Sequence, residues 1–599
     1  MMFSKQMPTR SEWSLIKAVI GPFRRRGLGV LLLVVVDTSL TSLGIGMIFP
    51  VFQALIDPSY NSPLLQQAVP ALLQFAPETR LLLVATATVL LFGLKAAITM
   101  LTSISTNAFL QDLRFYWVNQ IGEHYLYGPQ RVVSGKKPGE LLNNWFNETL
   151  SATRFFQSCI SYFSSTMLVL ALVVIGLVIN WQAMLGMIIA ASIVAALGRR
   201  KLFRGSALLS KTKVALNQSV TAAMIENLTH IRDLKILQAE ELRLRSLNEN
   251  CRLLAKAILK GTIFSEIPRV SGEFLAVLAL MSFIVISVKL LNQPPTDILP
   301  LMAFFFIAFY RLISAGSMAT AARIKALNEM HSVTVISQLL AQSRERENET
   351  EGEPLNRLNT DIELHGVNFS YDAKHPILAD INAKFPHGKT TLLLGPSGAG
   401  KSTLLDLLMR LETPESGSIT AMGLQASKYR LSDWRRQFGY VSQEAALFNG
   451  DILANLRLAN PDASPAEIEH ACRLAGAEDF IRDLPHGYAT LVGDRGYSLS
   501  GGQRKRIAIA RALIRKPSVL ILDEATTSFE QSLEWSMLRA LRAAMPDMTI
   551  IQVTHRLTMK EGADWVIALQ GGKIIAEGDW ISVQSRFSSL FQITNPQPR

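Results

Sequence analysis

Leu499–Glu530 reads LSGGQRKRIAIARALIRKPSVLILDEATTSFE, and this run decides how the rest of the chain is read. It contains two devices for handling phosphate. The first is Leu499-Ser500-Gly501-Gly502-Gln503, followed at once by a helical pattern with Ile507, Ile509, Ala510 and Leu513 on its apolar side. Two glycines and a serine ahead of a helix leave backbone N–H groups able to face an anion, and the helix dipole favours negative charge there. The second device is Val519-Leu520-Ile521-Leu522-Asp523-Glu524. Four apolar residues without alternation suit a strand buried on both faces of a parallel sheet. Two carboxylates stand at its C-terminal end, where α/β sheets place their chemistry. Asp523 is placed to reach Mg²⁺, and Glu524 to orient or deprotonate a water. Either device alone is ambiguous, since SGG before a helix is commonly a plain turn and a strand ending in Asp-Glu is commonly structural. Their spacing, about twenty residues with a helix between, sets them apart.

Upstream, Gly395-Pro396-Ser397-Gly398-Ala399-Gly400-Lys401-Ser402 fits GxxxxGK[ST]. It follows a strand-like Thr391–Leu394 and opens a helical run from Thr403, the context this motif needs. Glycines let backbone amides wrap phosphates, Lys401 neutralises β- and γ-oxygens, and Ser402 offers a hydroxyl to Mg²⁺. The motif by itself means only nucleotide binding.

Together these phrases closely resemble the ATP-binding-cassette (ABC) ATPases. Four further features fall at that family's positions. The resemblance implies that Tyr371, in FSY, stacks on adenine. It implies that Gln443, in GYVSQEAALF, reaches the metal and the attacking water. His555, in IIQVTHR, matches the histidine that contacts the γ-phosphate. VGDRG, Val492–Gly496, resembles the segment that touches coupling helices in exporters. The family resemblance thus makes Glu524, His555 and Gln443 catalytic, and Ser402, Gln443 and Asp523 the Mg²⁺ ligands. ATP would be held by Tyr371, by Gly395 through Thr403, and by Ser500, Gly501, Gly502 and Gln503. One departure stands out: after ILDEAT the family usually reads Ser-Ala-Leu-Asp, and this chain reads Thr527-Ser528-Phe529-Glu530. That loop normally packs across the dimer, so communication between sites is the property in question.

Composition separates the two halves. The chain has 599 residues, 49% hydrophobic and only 18% charged, against roughly 25% charged in average soluble chains. The deficit lies in the first 330 or so residues. The net charge of +12 is not taken as a nucleic-acid signal, because lysines and arginines cluster in loops beside apolar runs, as in cytoplasmic loops of membrane proteins. Cys159, Cys251 and Cys472 are too far apart to suggest a disulfide framework or a zinc site. The N-terminus carries no cleavable-signal pattern, and residues 1–26 read as a cytoplasmic or interfacial arm.

Six spans are expected at about 28–56, 81–108, 157–179, 183–200, 264–289 and 297–320, each near the length a bilayer requires. Asn180-Trp181-Gln182 alone separates the third from the fourth, so that turn must be tight. The external loops are poor in lysine and arginine, whereas Arg24–Arg26 and the segment from Arg199 to Lys260 are rich in them. By the positive-inside tendency both termini are cytoplasmic. Two long cytoplasmic loops read as helical continuations of the spans. The first turns near Tyr127-Gly128-Pro129, and the second holds MIENLTHIRDLKIL, Met224–Leu237. In the exporter family similar segments are coupling helices; a solvated helical hairpin is the plain alternative. Pro63–Phe75 reads either as an external amphipathic helix or as a surface loop. Lys95, Arg269 and Arg311 lie inside spans, where charge is costly. They form a cationic path for an anionic head group, or else pair with groups such as Asp37 and Glu273 or snorkel to the interface.

The whole chain resembles an ABC exporter of the half-transporter type: an α-helical six-span transmembrane domain, type I exporter-like with long cytoplasmic helices, followed by an α/β P-loop ABC ATPase domain. The bounds are 1–26 for the arm, 27–341 for the transmembrane domain, 342–358 for a linker and 359–599 for the ATPase. Phrases such as TSLGIGMIFPVFQAL, IPRVSGE and FYRLISA resemble the bacterial lipid-linked oligosaccharide flippase branch. That resemblance implies an anionic polyprenyl-pyrophosphate glycolipid as substrate and an inner (plasma) membrane location. Multidrug, other lipid or peptide export stays open, as does a nucleotide-gated channel or regulator. In that family the P-loop of one ATPase faces the LSGGQ signature of another, so the resemblance implies that a chain with one P-loop (Gly395–Ser402) and one signature (Leu499–Gln503) needs a second copy, most simply in a homodimer, with a heterodimer the alternative. ATP and Mg²⁺ are the implied cofactors; the bilayer and an amphipathic or lipid-linked substrate are the implied partners, and nucleic acid is not.

Overall fold

The computed structural model describes residues 19–49, 51–52, 76–134, 136, 138–289, 295–342, 350–372, 375–493, 499–526, 531–554 and 562–583. The chain divides into two compact units. The first is Met1–Leu126 with Lys136–Arg344, and the second is Tyr127–Gly135 with Glu345–Arg599.

The first unit is built of long helices: α1 (Arg24–Gly46), α2 (Pro77–Tyr127), α3 (Glu148–Thr229), α4 (Glu240–Lys289) and α5 (Pro295–Gln342). The 51 residues of α2 extend about 75 Å at 1.5 Å per residue, more than twice a bilayer's apolar core. The expected continuation of spans as helices is therefore present. Within α3 the helical path breaks at Asn180 (φ −156°, ψ 98°), where the tight turn between the third and fourth spans was expected. Among the described residues, Gly21–Gly46, Leu81–Tyr127, Gly139–Gln182 and Ala303–Leu327 are long and apolar enough to cross a bilayer. The fourth and fifth expected spans lie within α3 and α4, but most of their side chains fall outside the described residues, as does the whole of 63–75.

Two apolar clusters hold this unit together. Val30, Leu113, Trp117, Phe156 and Ile336 unite α1, α2, α3 and α5 in one. Ile45, Leu172, Met184 and Phe304 form the other. Its exterior is apolar as well: Leu82, Val89, Leu90, Leu94 and Met100 of α2 are all exposed. A water-soluble surface would not carry such a belt, and this is a membrane protein. Between α3 and α4 lies a short helix, Ile231–Ile236, flanked by exposed Leu228 and Leu237.

The second unit contains two sheets. The antiparallel one has the order β2 (His375–Phe385), β1 (Ile362–Asp372), β4 (Ser416–Ala421), β5 (Leu424–Gln425). The larger has the order β10-β9-β3-β8-β7-β6. In it β3 (Thr390–Leu394), β6 (Phe438–Val441), β7 (Val519–Asp523), β8 (Thr549–Val553) and β9 (Trp565–Gln570) are parallel, and β10 (Lys573–Gly578) is antiparallel at the edge. The unbroken apolar reading of β7 has its explanation here. Leu520 and Leu522 join one core with Ile550 and Leu392, whereas Val519 and Ile521 join the opposite core with Ile551 and Leu393. With both faces covered, alternation has no work to do. The helices that matter for the site are α6 (Lys401–Leu408), α7 (Pro465–Leu474), α8 (Gly501–Ile514) and α9 (Gln531–Ala544).

Of the stretch 342–358, expected to be a linker, residues 343–349 lie outside the described residues. Leu355 and Leu358 are buried in the second unit's core, and the Leu358 N–H donates to Gln437 Oε1 at 3.1 Å. Its last residues are part of the ATPase fold, because two leucines three apart outweigh the charge around them.

Candidate active site

The parallel strands β3, β6 and β7 all end at one edge, and four of the sequence's candidate residues, Lys401, Gln443, Asp523 and Glu524, meet there. After β3 the loop Gly395–Gly400 turns back into α6. A Cβ at Gly395 would lie 2.2 Å from Leu569 O, so only glycine passes this point. Gly400 is the residue before α6 and has φ +99°, a conformation open to glycine and strained for other residues. Lys401, the first residue of α6, is buried, and its Nζ donates to Gly395 O (2.7 Å) and Pro396 O (2.9 Å). Burial pushes this ammonium below its ordinary value, against the opposing pull of Glu524 and Asp523. Two loop carbonyls satisfy its hydrogen bonds but not its charge, and among the described residues no carboxylate is within ion-pair distance of it. A buried cation in a glycine cradle, without a paired anion, fits an incoming phosphate.

Asp523 ends β7 with little exposure and accepts a hydrogen bond from Tyr440 Oη at 3.3 Å. Glu524 follows in a left-handed conformation (φ +49°), uncommon for a non-glycine residue. Three elements hold it there. Its N–H donates to Val553 O at the end of β8 (3.1 Å), Gln443 Nε2 after β6 donates to its Oε2 (2.7 Å), and Lys505 Nζ of α8 donates to its carbonyl oxygen (2.9 Å). Gln443 and Glu524, expected from the sequence to act on the same water, are in direct contact. Ser402 and Thr403 occupy the first turn of α6, the former exposed and the latter buried. Tyr371 sits at the end of β1, its ring edge-on to Phe369 (5.0 Å). Partial burial raises its phenol, with the Thr403 hydroxyl alongside.

Ser500, Gly501, Gly502 and Gln503 begin α8. Ser500 Oγ accepts from Gln503 N (3.2 Å), and Gln503 Oε1 accepts from Ser500 N (2.8 Å). This capping box satisfies two of the N–H groups that the sequence left open for an anion. Among the described residues no hydrogen bond joins this turn to the 395–403 loop of its own chain. His555, 494–498 and Thr527–Glu530 lie outside the described residues.

Of the intramembrane cations, Lys95 is half-buried on α2 and Arg311 is exposed on α5, while the side chain of Arg269 on α4 lies outside the described residues. One turn after Lys95, the Thr99 hydroxyl is shared between Lys95 O and the Asp37 carboxylate of α1. Asp37 is thereby engaged across two helices.

Three groups escaped the sequence reading. Tyr440 sits on Asp523 and Lys505 on Glu524. Asp406 of α6 is pushed up to about 6 by burial, with Glu412 and Asp523 adding repulsion. The nearest signal for Tyr440 was its place three residues before Gln443 in GYVSQ.

The family model "ABC transporter" matches residues 378–527. An uncharacterized ABC transporter ATP-binding protein, y4gM of Sinorhizobium fredii, is 30% identical over 499 residues, covering 83% of this chain and 84% of that protein. The chain belongs to the ABC transporter family. This transporter is also 33% identical over 386 residues to the heterocyst differentiation ATP-binding protein HepA of Nostoc, where the match spans 63% of this chain and 61% of that protein. An ATP-dependent lipid A-core flippase of Photobacterium profundum is 44% identical over 224 residues, 37% of this chain and 38% of the flippase. A solved bacterial Atm1-family ABC exporter with ATP bound shares the transporter's fold, with TM-score 0.72 and 23% identity over 96% of this chain and 100% of the other.

Proposed function

We propose that the chain is one half of an ATP-driven exporter that moves an amphipathic or lipid-linked substrate across a bacterial inner membrane. It works as a pair of identical chains, with the ATPase unit and both termini in the cytoplasm. The observation that carries this reading is the convergence of Lys401, Asp523, Gln443 and Glu524 at one edge of a parallel sheet, in a chain whose other unit has bilayer-length apolar helices.

Lys401 exchanges its two loop carbonyls for phosphate oxygens when ATP enters the cradle. Ser402, Gln443 and Asp523 supply oxygens suited to Mg²⁺, which usually takes one or two carboxylates beside phosphate and water. When bound, the ion neutralises charge on the phosphate oxygens. Glu524, held by Gln443, orients a water and accepts its proton as the water oxygen bonds to the γ-phosphorus and the bond to ADP breaks. Ser500–Gln503 serves the nucleotide on the second copy's P-loop, so each composite site needs both chains. ATP acts as the ligand that favours the closed pair.

The substrate is read from the membrane unit as an anionic polyprenyl-pyrophosphate glycolipid, drawn by Lys95, Arg269 and Arg311. The similar proteins include lipid A-core flippases, but also HlyB of Escherichia coli, named for alpha-hemolysin translocation, at 39% identity over 238 residues. ATPase similarity is therefore shared across cargoes, and the lipid reading rests on the flippase-like phrases of the membrane unit and on intramembrane cations that suit an anionic head group. The test is transport of a tagged polyprenyl-pyrophosphate glycolipid by the purified chain in liposomes. ATP-dependent movement that is lost in Arg269→Ala and Arg311→Ala is expected. Unchanged transport in both variants removes the cationic path, and ATPase stimulation by a drug or peptide but not by the lipid replaces the substrate.

A further inference from the structure

Helix α8 carries three consecutive basic residues, and each donates to a backbone carbonyl in a different place. Arg504 Nη1 reaches Leu499 O (2.7 Å) at the signature turn, Lys505 Nζ reaches Glu524 O (2.9 Å), and Arg506 Nη1 reaches Gly476 O (2.8 Å) after α7. The middle contact touches the most unusual backbone of the site. Glu524 has φ +49° in a residue with a full side chain, and such a conformation persists only where its surroundings hold it. Val553 O takes the N–H of Glu524 and Lys505 takes its carbonyl, so the peptide groups on both sides of its Cα are fixed. Rotation about that Cα swings the carboxylate held by Gln443. Lys505 is only five residues after Ser500, about 7.5 Å along the helix axis. The helix whose first turn carries Ser500–Gln503 thus also grips the backbone of Glu524.

We propose that Lys505 is a positioning residue that ties the two half-sites of one chain together. It holds Glu524 in its left-handed turn from the signature helix, so seating of that helix on the second copy's nucleotide aligns the catalytic carboxylate of its own site. This rests on the composite-site reading above. A small displacement of α8 travels along a rigid helix and one charge-assisted hydrogen bond to Glu524. Cooperative hydrolysis between the two sites is the expected consequence.

The experiment uses the full-length chain in lipid nanodiscs. Lys505→Met keeps the aliphatic stem and removes the donor. Loss of a charge-assisted hydrogen bond corresponds to about a tenfold or greater fall in kcat, with ATP affinity unchanged. The Hill coefficient for ATP should fall from near the number of sites towards one. Lys505→Arg, which retains a cationic donor, should restore most of both. Unchanged kcat overturns the positioning role, and a reduced kcat with an unchanged Hill coefficient overturns the tie between sites. If Lys505→Met does not assemble, Lys505→Leu, which also lacks the donor, is read by the same criteria. A second arm separates failure of the underlying reading: Ser397→Cys chains are mixed with Gly501→Cys chains and oxidised with ATP present. Composite sites set the phosphate loop of one chain against the first turn of α8 of the other and give a cross-linked pair in the mixture alone. Absence of the cross-link rejects composite sites themselves, whatever Lys505 does.

Discussion

Strand β7 and helix α2 are both written in apolar residues, and the structure uses them in opposite ways. In β7 every residue is buried, shared between two cores, and the functional groups stand at the strand's end. In α2 the most apolar window is only 6% buried within the chain, so its leucines face outward. Hydrophobicity alone did not separate the cases. Length did, because five residues cannot cross a bilayer and fifty-one can. The lesson concerns where chemistry sits. A sheet buried on both faces is rigid enough to aim side chains from its ends, whereas the bundle offers charge only at isolated points such as Lys95 and Arg311.

Substitutions that treat the two regions alike should break this contrast if it is wrong. Leu520→Ala in β7 should destabilise the ATPase unit by about 2–5 kcal/mol, the cost of a cavity in a packed core. Leu90→Ala on α2 should stay within about 0.5 kcal/mol. Thermal unfolding in detergent followed by nucleotide-protected proteolysis compares them, and equal losses would erase the distinction. Asp406 gives a smaller effect with a definite sign. Its folded value, about 6, lies above the ordinary 3.8. The folded chain therefore retains a proton that the unfolded chain releases between about pH 4 and 6, and stability from this group falls as pH rises through that window. Asp406→Asn should recover about 1–2 kcal/mol at pH 7.5, about half of that at pH 5 and little below about pH 4, in calorimetry of the nucleotide-free chain. The smallest expected effect is that of Tyr440→Phe. Removing the hydroxyl from Asp523 should weaken metal positioning by about 1 kcal/mol. That is read as a several-fold rise in the Mg²⁺ concentration giving half-maximal hydrolysis, with the stability of the chain little changed.

Much of this architecture was legible beforehand, for physical reasons. The run Val519–Leu522 announces two-sided burial, and Gly395–Ser402 announces a phosphate loop because glycine spacing and a following helix are needed together. Asn180-Trp181-Gln182 was the only place where one long apolar run could turn, and Asn180 is where the helix breaks. What stayed hidden depends on groups distant in the chain. Tyr440 and Asp523 are 83 residues apart, and become neighbours only because β6 and β7 pair in parallel. Lys505 and Glu524 are 19 apart, and no periodicity links a helix residue to the carbonyl beyond the next strand. The stretch 342–358 misled for the opposite reason: its charge masked Leu355 and Leu358, which the fold buries. The capping box between Ser500 and Gln503 closes N–H groups that the sequence left open for an anion, and it emerged only with the geometry.

The most direct measurement concerns Glu524, the residue in which the two-sided strand, the glutamine after β6 and the signature helix meet. Glu524→Gln in the reconstituted chain should keep ATP binding and trap ATP in the closed pair. Steady-state hydrolysis should fall by about 100-fold or more, since a positioned general base is worth that much. Near-normal hydrolysis by Glu524→Gln, with ATP binding intact, would contradict its role as the catalytic carboxylate.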